Sequence, residues 1–256
     1  MPLNKHSDYE IPQNWAEYTP AEHAVWHTLY TQQTQLLPDA AAPEVLHGIA
    51  RLNLSSERIP RMDELSEQLL PLTGWRVIAV PGLIPEAEFF RLLAQRVFVA
   101  GRFIRRPEQL EYLQEPDIFH DVFGHVPLLT SPIFADYMQA FGEGGLRSIA
   151  FGTLENLARL YWYTVEFGLV KHAAGLRIYG AGILSSKKEV TYSLTDQSVR
   201  RRPFDLKTVL QTPYEIDHLQ SQYFVVDSLD ALLSVTTKTD FAPLYRDLTQ
   251  TREQAH

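Results

Sequence analysis

Residues 117–127 read Asp117-Ile-Phe-His120-Asp-Val-Phe-Gly-His125-Val-Pro127. Two histidines stand five apart among apolar residues, with one carboxylate between them and another ahead of the first. A buried imidazole without a partner is an unsatisfied polar group, so both rings need something to bind. Gly124 and Pro127 close the run, which predicts a helix from Asp117 that stops near 124–127 and turns both rings toward one point. Such a pair is the rigid half of a metal site.

The other half should be a carboxylate, and Glu166 stands in Leu160-Tyr-Trp-Tyr-Thr-Val-Glu166-Phe-Gly168. On a helix its neighbours one turn away are Trp162, Tyr163, Leu169 and Val170, with no Lys or Arg among them. A carboxylate on such a face must find a cation or give up its charge. Two neutral imidazoles and one carboxylate, with other positions open, form the ligand set of non-haem Fe(II) oxygenases. A zinc hydrolase is the alternative, although the spacing and Asp121 depart from His-Glu-x-x-His. A closed structural site would need a fourth protein ligand, and no good one presents itself.

Composition narrows the classes further. The 256 residues carry a formal charge of -8, with 45% hydrophobic and 21% charged residues. That is an ordinary globular balance and argues against a nucleic-acid or anionic-membrane surface. Arg200-Arg201-Arg202 reads as a solvated loop. There is no cysteine, so disulfides and thiolate ligands are excluded and any metal is held by nitrogen and oxygen. The N-terminus has no apolar signal-peptide core and no apolar run approaches the ~20 residues of a membrane span. A cytoplasmic protein is expected.

The pattern along the chain predicts one mainly α domain with a small β component. Residues 1–18 read as an irregular arm. Thr19-Pro20-Ala-Glu22 opens a helix through about Leu37, and shorter helices follow at 43–53 and 62–71. Trp75 to Val80 reads as a short strand ended by Pro81-Gly82. A helix starts after Pro85 with a stripe of Phe89, Phe90, Leu92, Leu93 and Val97. Further helices are predicted at 132–144, 153–173 and 229–256, and a small sheet within 177–195.

Three stretches carry a family resemblance: Glu115-Pro-Asp-Ile-Phe-His120-Asp-Val-Phe-Gly-His125-Val-Pro-Leu, then Tyr161-Trp-Tyr-Thr-Val-Glu166-Phe-Gly-Leu169, then Tyr179-Gly-Ala-Gly-Ile-Leu-Ser185-Ser186 with Glu189. Together they resemble the pterin-dependent aromatic amino acid hydroxylases, most closely the short bacterial phenylalanine 4-hydroxylases, from about Tyr18 to about Asp230. The resemblance implies a single catalytic domain of that type. It implies Fe(II) on His120, His125 and Glu166, a tetrahydropterin, and O2 as co-substrate in the conversion of L-phenylalanine to L-tyrosine. It places the pterin near Gly82, Ile84 and Phe89, with Asp121 and Tyr161 toward the iron. The substrate carboxylate would meet Arg105, oriented by Asp117, with Trp162, Ser185 and the Leu113-Gln114 stretch completing its site. Animal members tend to have Thr-Pro at that stretch, so a hydroxyl contact is replaced at most by backbone ones.

Animal members also carry a regulatory domain and a tetramerisation helix. The chain is expected to lack both and to be a monomer or dimer served by separate pterin-recycling enzymes. Tryptophan hydroxylation is the alternative within the family. The tryptophan enzymes usually carry a smaller Phe at the position of Trp162, which favours phenylalanine. Ile216 is a further candidate wall residue.

Overall fold

The computed structural model of the chain describes residues 5–111, 115–216 and 218–253, with side chains as far as Leu248. Leu113 and Gln114 therefore lie outside the described residues. Helix α1 (Pro20–Ala40) begins at a capping box: Glu22 N–H donates to Thr19 Oγ1 and Thr19 N–H donates to Glu22 Oε2. Its buried side chains Val25, Trp26, Leu29, Gln33, Leu37 and Ala40 recur at helical spacing and face the core. Helices α2 (Pro43–Arg51) and α3 (Met62–Thr73) follow.

Strands β1 (Arg76–Val80) and β2 (Val97–Gly101) pair in parallel, joined by helix α4 (Glu86–Ala94). Next come α5 (Pro132–Ala150) and α6 (Leu154–Tyr161). A second sheet is built from β3 (Leu169–His172), β4 (Gly175–Ile178), β5 (Arg200–Pro203) and β6 (Gln222–Val226) in the order β4-β3-β6-β5. Helices α7 (Ala181–Leu184), α8 (Lys187–Thr195) and α9 (Leu206–Gln211) stand between its strands. Helices α10 (Leu229–Lys238) and α11 (Phe241–Glu253) end the described chain. Among the described residues no helix is long and apolar enough to cross a membrane.

The structure corrects several expectations. Residues 119–125 form a π-helical turn, and the chain runs on through Pro127 as a 3-10 turn, Val126–Thr130. Proline is tolerated there because it opens a new turn rather than interrupting one. The helix expected over 153–173 ends at Glu166 in a second π turn, Trp162–Glu166, closed by Phe167 N–H to Trp162 O at 2.8 Å; strand β3 follows. Within 177–195 only the start is strand. Ser186 Oγ accepts Glu189 N–H and opens α8 despite the β-branched Val190 and Thr191. Val97 belongs to β2, not to the α4 stripe. The three arginines form β5, and Arg201 donates to the carbonyls of Tyr192, Ser193 and Asp196.

Tight contacts fix the segments around residues 120, 125 and 166. Phe119 and Phe123 stack at 4.8 Å, Trp26 meets Phe119 at 5.2 Å and Tyr30 meets Phe123 at 5.6 Å, so α1 grips the back of the first π turn. Gln33 Nε2 donates to Leu184 O and ties α1 to α7. A Cβ added at Gly180 would lie 2.4 Å from both Glu166 O and Gly168 N. Since both are backbone atoms, Gly180→Ala should displace the Glu166 segment and destabilise the fold by ~1–3 kcal/mol. Denaturant unfolding checks this; an unchanged midpoint would contradict it.

Candidate metal centre between two cavities

In an α-helix each residue turns by about 100°, so residues five apart point to different sides. The π turn widens the helix so that His120 and His125 share a side. Their Nε2 atoms lie 3.2 Å apart. Glu166, delivered by the second π turn, places Oε1 3.2 Å from His125 Nε2 and Oε2 3.5 Å from His120 Nε2. Donor atoms ~2.1 Å from one ion at right angles to each other lie about 3 Å apart, so these three fit one face of an octahedral ion.

Hydrogen bonding prepares the ligands differently. Ser185 Oγ gives its only hydrogen to Ala181 O at 2.9 Å, so His120 Nδ1–H must donate to Ser185 Oγ, also at 2.9 Å. That tautomer leaves His120 Nε2 bare for a metal. His125 Nδ1 has no hydrogen-bond partner among the described residues. Its ring is held instead between Phe98 at 5.1 Å and Tyr161 at 6.3 Å.

The electrostatics call for a cation. Burial disfavours a charged His120, yet the carboxylates of Glu166, Asp121 and Asp117 push its pKa up to about 9. Burial also opposes ionisation of Glu166, and the two imidazoles overcome it, holding its carboxyl far below the usual range. Burial lifts Asp121 to about 6, and its Oδ2 accepts Gly101 N–H at 2.8 Å. His120, Asp121 and His125 also cluster closely enough to share an ion. Asp121 is already engaged by β2, whereas Glu166 presents both oxygens to the imidazoles. Burial raises the Tyr161 phenol well above its ordinary value and keeps it neutral.

The triad lies where two cavities meet, with His120, Trp162, Glu166 and Pro116 lining both. The first, about 300 Å³, has Gly82, Ile84, Phe89, Asp121 and Tyr161 in its wall. Phe89 meets Tyr161 edge-on at 5.9 Å. The second, about 520 Å³, contains Arg105, Ser185, Glu189 and Ile216.

Arg105 and Asp117 are both buried and form a two-point pair: Nε to Oδ2 and Nη2 to Oδ1, each 2.8 Å. Arg105 N–H adds a third bond to Oδ2 at 2.9 Å, and His120 N–H reaches Oδ1 at 3.1 Å. One side of the guanidinium is thus committed to Asp117. Nη1 makes only a 3.5 Å contact with Leu110 O, which leaves that end able to take a carboxylate from the cavity.

The structure brings together every described residue singled out in the sequence. Pro116, Tyr214 and Gln220 were missed. Only Tyr214's aromatic character, 52 residues after Trp162, offered a signal, since it acts by stacking on Trp162 at 4.3 Å.

Fold and site define a mainly helical metalloprotein with an open three-ligand centre between two small-molecule cavities. The profile of the biopterin-dependent aromatic amino acid hydroxylases matches residues 3–246, and the chain belongs to that family. The phenylalanine-4-hydroxylase of Caulobacter vibrioides is 55% identical over 247 residues, covering 96% of this chain and 84% of the relative. Two structures of Chromobacterium violaceum phenylalanine hydroxylase are close matches. One, bound to cobalt, matches with a TM-score of 0.93 at 51% identity, covering 96% of this chain and 88% of that one. The other, bound to iron and phenylalanine, matches with a TM-score of 0.91 at 49% identity over 96% and 89%. Family membership removes the zinc-hydrolase reading, and the open position of the triad argues against a closed structural metal.

Ser185→Ala should strand the partly buried His120 Nδ1–H and lower ferrous-ion affinity by roughly 10–100-fold. Competition against a chelator measures this. An unchanged affinity would remove Ser185 from the support of the centre.

Proposed function

We propose that the chain is a phenylalanine 4-monooxygenase that converts L-phenylalanine to L-tyrosine with O2 and a tetrahydropterin at a non-haem Fe(II) centre. The observation that carries the proposal is the meeting of two cavities at one triad, because the reaction needs a reductant and an aromatic ring beside the same ion. Relatives 50–55% identical are named phenylalanine-4-hydroxylases, which supports the choice of substrate.

His120, His125 and Glu166 hold the iron on one face. When bound, Fe(II) and the pterin supply an open coordination position for O2 and the two electrons that its activation consumes. Phe89 offers a ring for the pterin, with Gly82 and Ile84 in the loop beside it and Asp121 and Tyr161 toward the metal. Arg105, braced by Asp117, binds the amino acid's carboxylate through its free end. Trp162 walls the space in which the substrate ring meets the iron, and Ser185 orients His120 from the floor of the same cavity. Leu113 and Gln114 are assigned to its rim on the family pattern alone. The side chains bind, orient and exclude water; no protein nucleophile is required at the ring.

The proposal extends to a single catalytic domain in the cytoplasm, as a monomer or dimer, supplied by separate pterin-recycling enzymes. The charge of -8 supports a protein that does not bind nucleic acid.

Incubating the Fe(II)-loaded protein with phenylalanine, a tetrahydropterin and O2 should yield tyrosine. Turnover driven by NADH or 2-oxoglutarate without pterin would refute the assignment. Trp162 limits the room for an indole, and overpacking a formed pocket costs ~1–3 kcal/mol. Trp162→Phe should therefore raise the ratio of kcat/KM on tryptophan to that on phenylalanine. An unchanged ratio would free Trp162 of this role, and a wild-type preference for tryptophan would overturn the substrate.

A further inference from the structure

Gln220 is buried, and the side-chain hydrogen bonds it makes among the described residues go to Trp162, Glu215 and His218 rather than to the triad or Arg105. Its Oε1 accepts Trp162 Nε1–H at 2.9 Å. Its Nε2 donates to Glu215 O at 2.9 Å and to His218 O at 3.1 Å. Its backbone N–H donates to Glu189 Oε1 at 3.3 Å, and that oxygen also takes the Tyr223 hydroxyl. The orientation of the amide follows from its partners. An indole N–H can only donate and a carbonyl can only accept, so the oxygen faces Trp162 and the NH2 faces the loop. Both donors and the acceptor of one amide are therefore spent on parts of a single wall.

That wall needs holding. Ile216 and Leu219 line the second cavity yet are 63% and 44% exposed, so packing alone does not anchor their loop. Trp162 is gripped on its faces by Tyr214, stacked at 4.3 Å, and by Phe167 at 4.7 Å. Ring contacts resist tilting but leave rotation within the indole plane open, and the Nε1–H bond to Gln220 stops that rotation.

We propose that Gln220 is a positioning residue that joins the indole of Trp162 to the wall carrying Glu215, Ile216, His218 and Leu219, so that the two act as one rigid surface against the substrate ring. The proposal rests on the assignment of the second cavity to the aromatic substrate. It places Gln220 among the determinants of substrate affinity and selectivity although it does not touch the substrate. Tetrahydropterin, held in the first cavity, should be affected less, because Ile216, His218 and Leu219 line the second cavity alone and Trp162 is shared between the two.

Gln220→Ala and the volume-preserving Gln220→Met test this. In metal-free protein labelled with ¹⁵N, the Trp162 indole N–H resonance is identified by its loss in Trp162→Phe. It should move upfield in both Gln220 variants while the other indole signals stay in place. With iron and pterin, the KM for phenylalanine should rise roughly tenfold, the effect of losing buried amide bonds, with the KM for pterin changed less than twofold. In a Trp162→Phe background, Gln220→Met should raise the phenylalanine KM by a smaller factor, because part of its action runs through the indole. An unmoved resonance, an equal rise in both KM values, or an equal factor in the two backgrounds would overturn the proposal. If the wild type makes no tyrosine, the functional assignment fails, while the resonance still reports on the Gln220–Trp162 bond.

Discussion

The Glu166 carboxylate, set between two imidazoles in a largely buried pocket, is the constraint on which the rest of the structure depends. Three largely buried groups with one negative charge, and no ion pair to a Lys or Arg among the described residues, need positive charge. Without an ion, the carboxylates of Glu166, Asp121 and Asp117 raise the pKa of His120 against the effect of burial and favour a proton there. A divalent cation meets the same demand more fully and matches the spacing of the donors. Metal binding should therefore release a proton and compact a site that already has its shape.

Much of the scaffold serves to hold that arrangement. Helix α1 presses Trp26 and Tyr30 against the apolar side of the first π turn, leaving the histidines on the opposite side. Helix α7 packs against both π turns, and glycines at 124 and 180 permit the close approach of its backbone. Ser185, at the end of α7, then sets the tautomer of His120. One short element thus spaces the ligands, seats Glu166 and prepares a nitrogen for the metal. The buried Arg105–Asp117 pair extends the same organisation, since Asp117 also receives the N–H of His120 and links the second cavity to the triad.

The candidate triad of His120, His125 and Glu166 and the helical framework were legible in the sequence because they rest on local signals. Thr19-Pro20-Ala-Glu22 specifies a cap, and Glu166 stands without a local cation. Apart from β1, which the run from Trp75 to Val80 announced, the parallel strands were not legible. β2, β3, β5 and β6 are four or five residues long and pair with partners distant along the chain, so no local period marks them. The π turns escaped for a related reason: a five-residue histidine spacing is compatible with a helix that ends or one that widens, and packing against α1 and α7 selects the second. Gln220 was invisible because its role depends on an indole 58 residues away.

The claim at the centre of this account is that one ferrous ion sits on His120, His125 and Glu166. Anaerobic equilibrium dialysis followed by elemental analysis measures it directly in the wild type, His120→Ala and His125→Ala. The account predicts one iron per chain in the wild type and almost none in either variant, with far-UV circular dichroism unchanged. Full iron occupancy in both variants would contradict it.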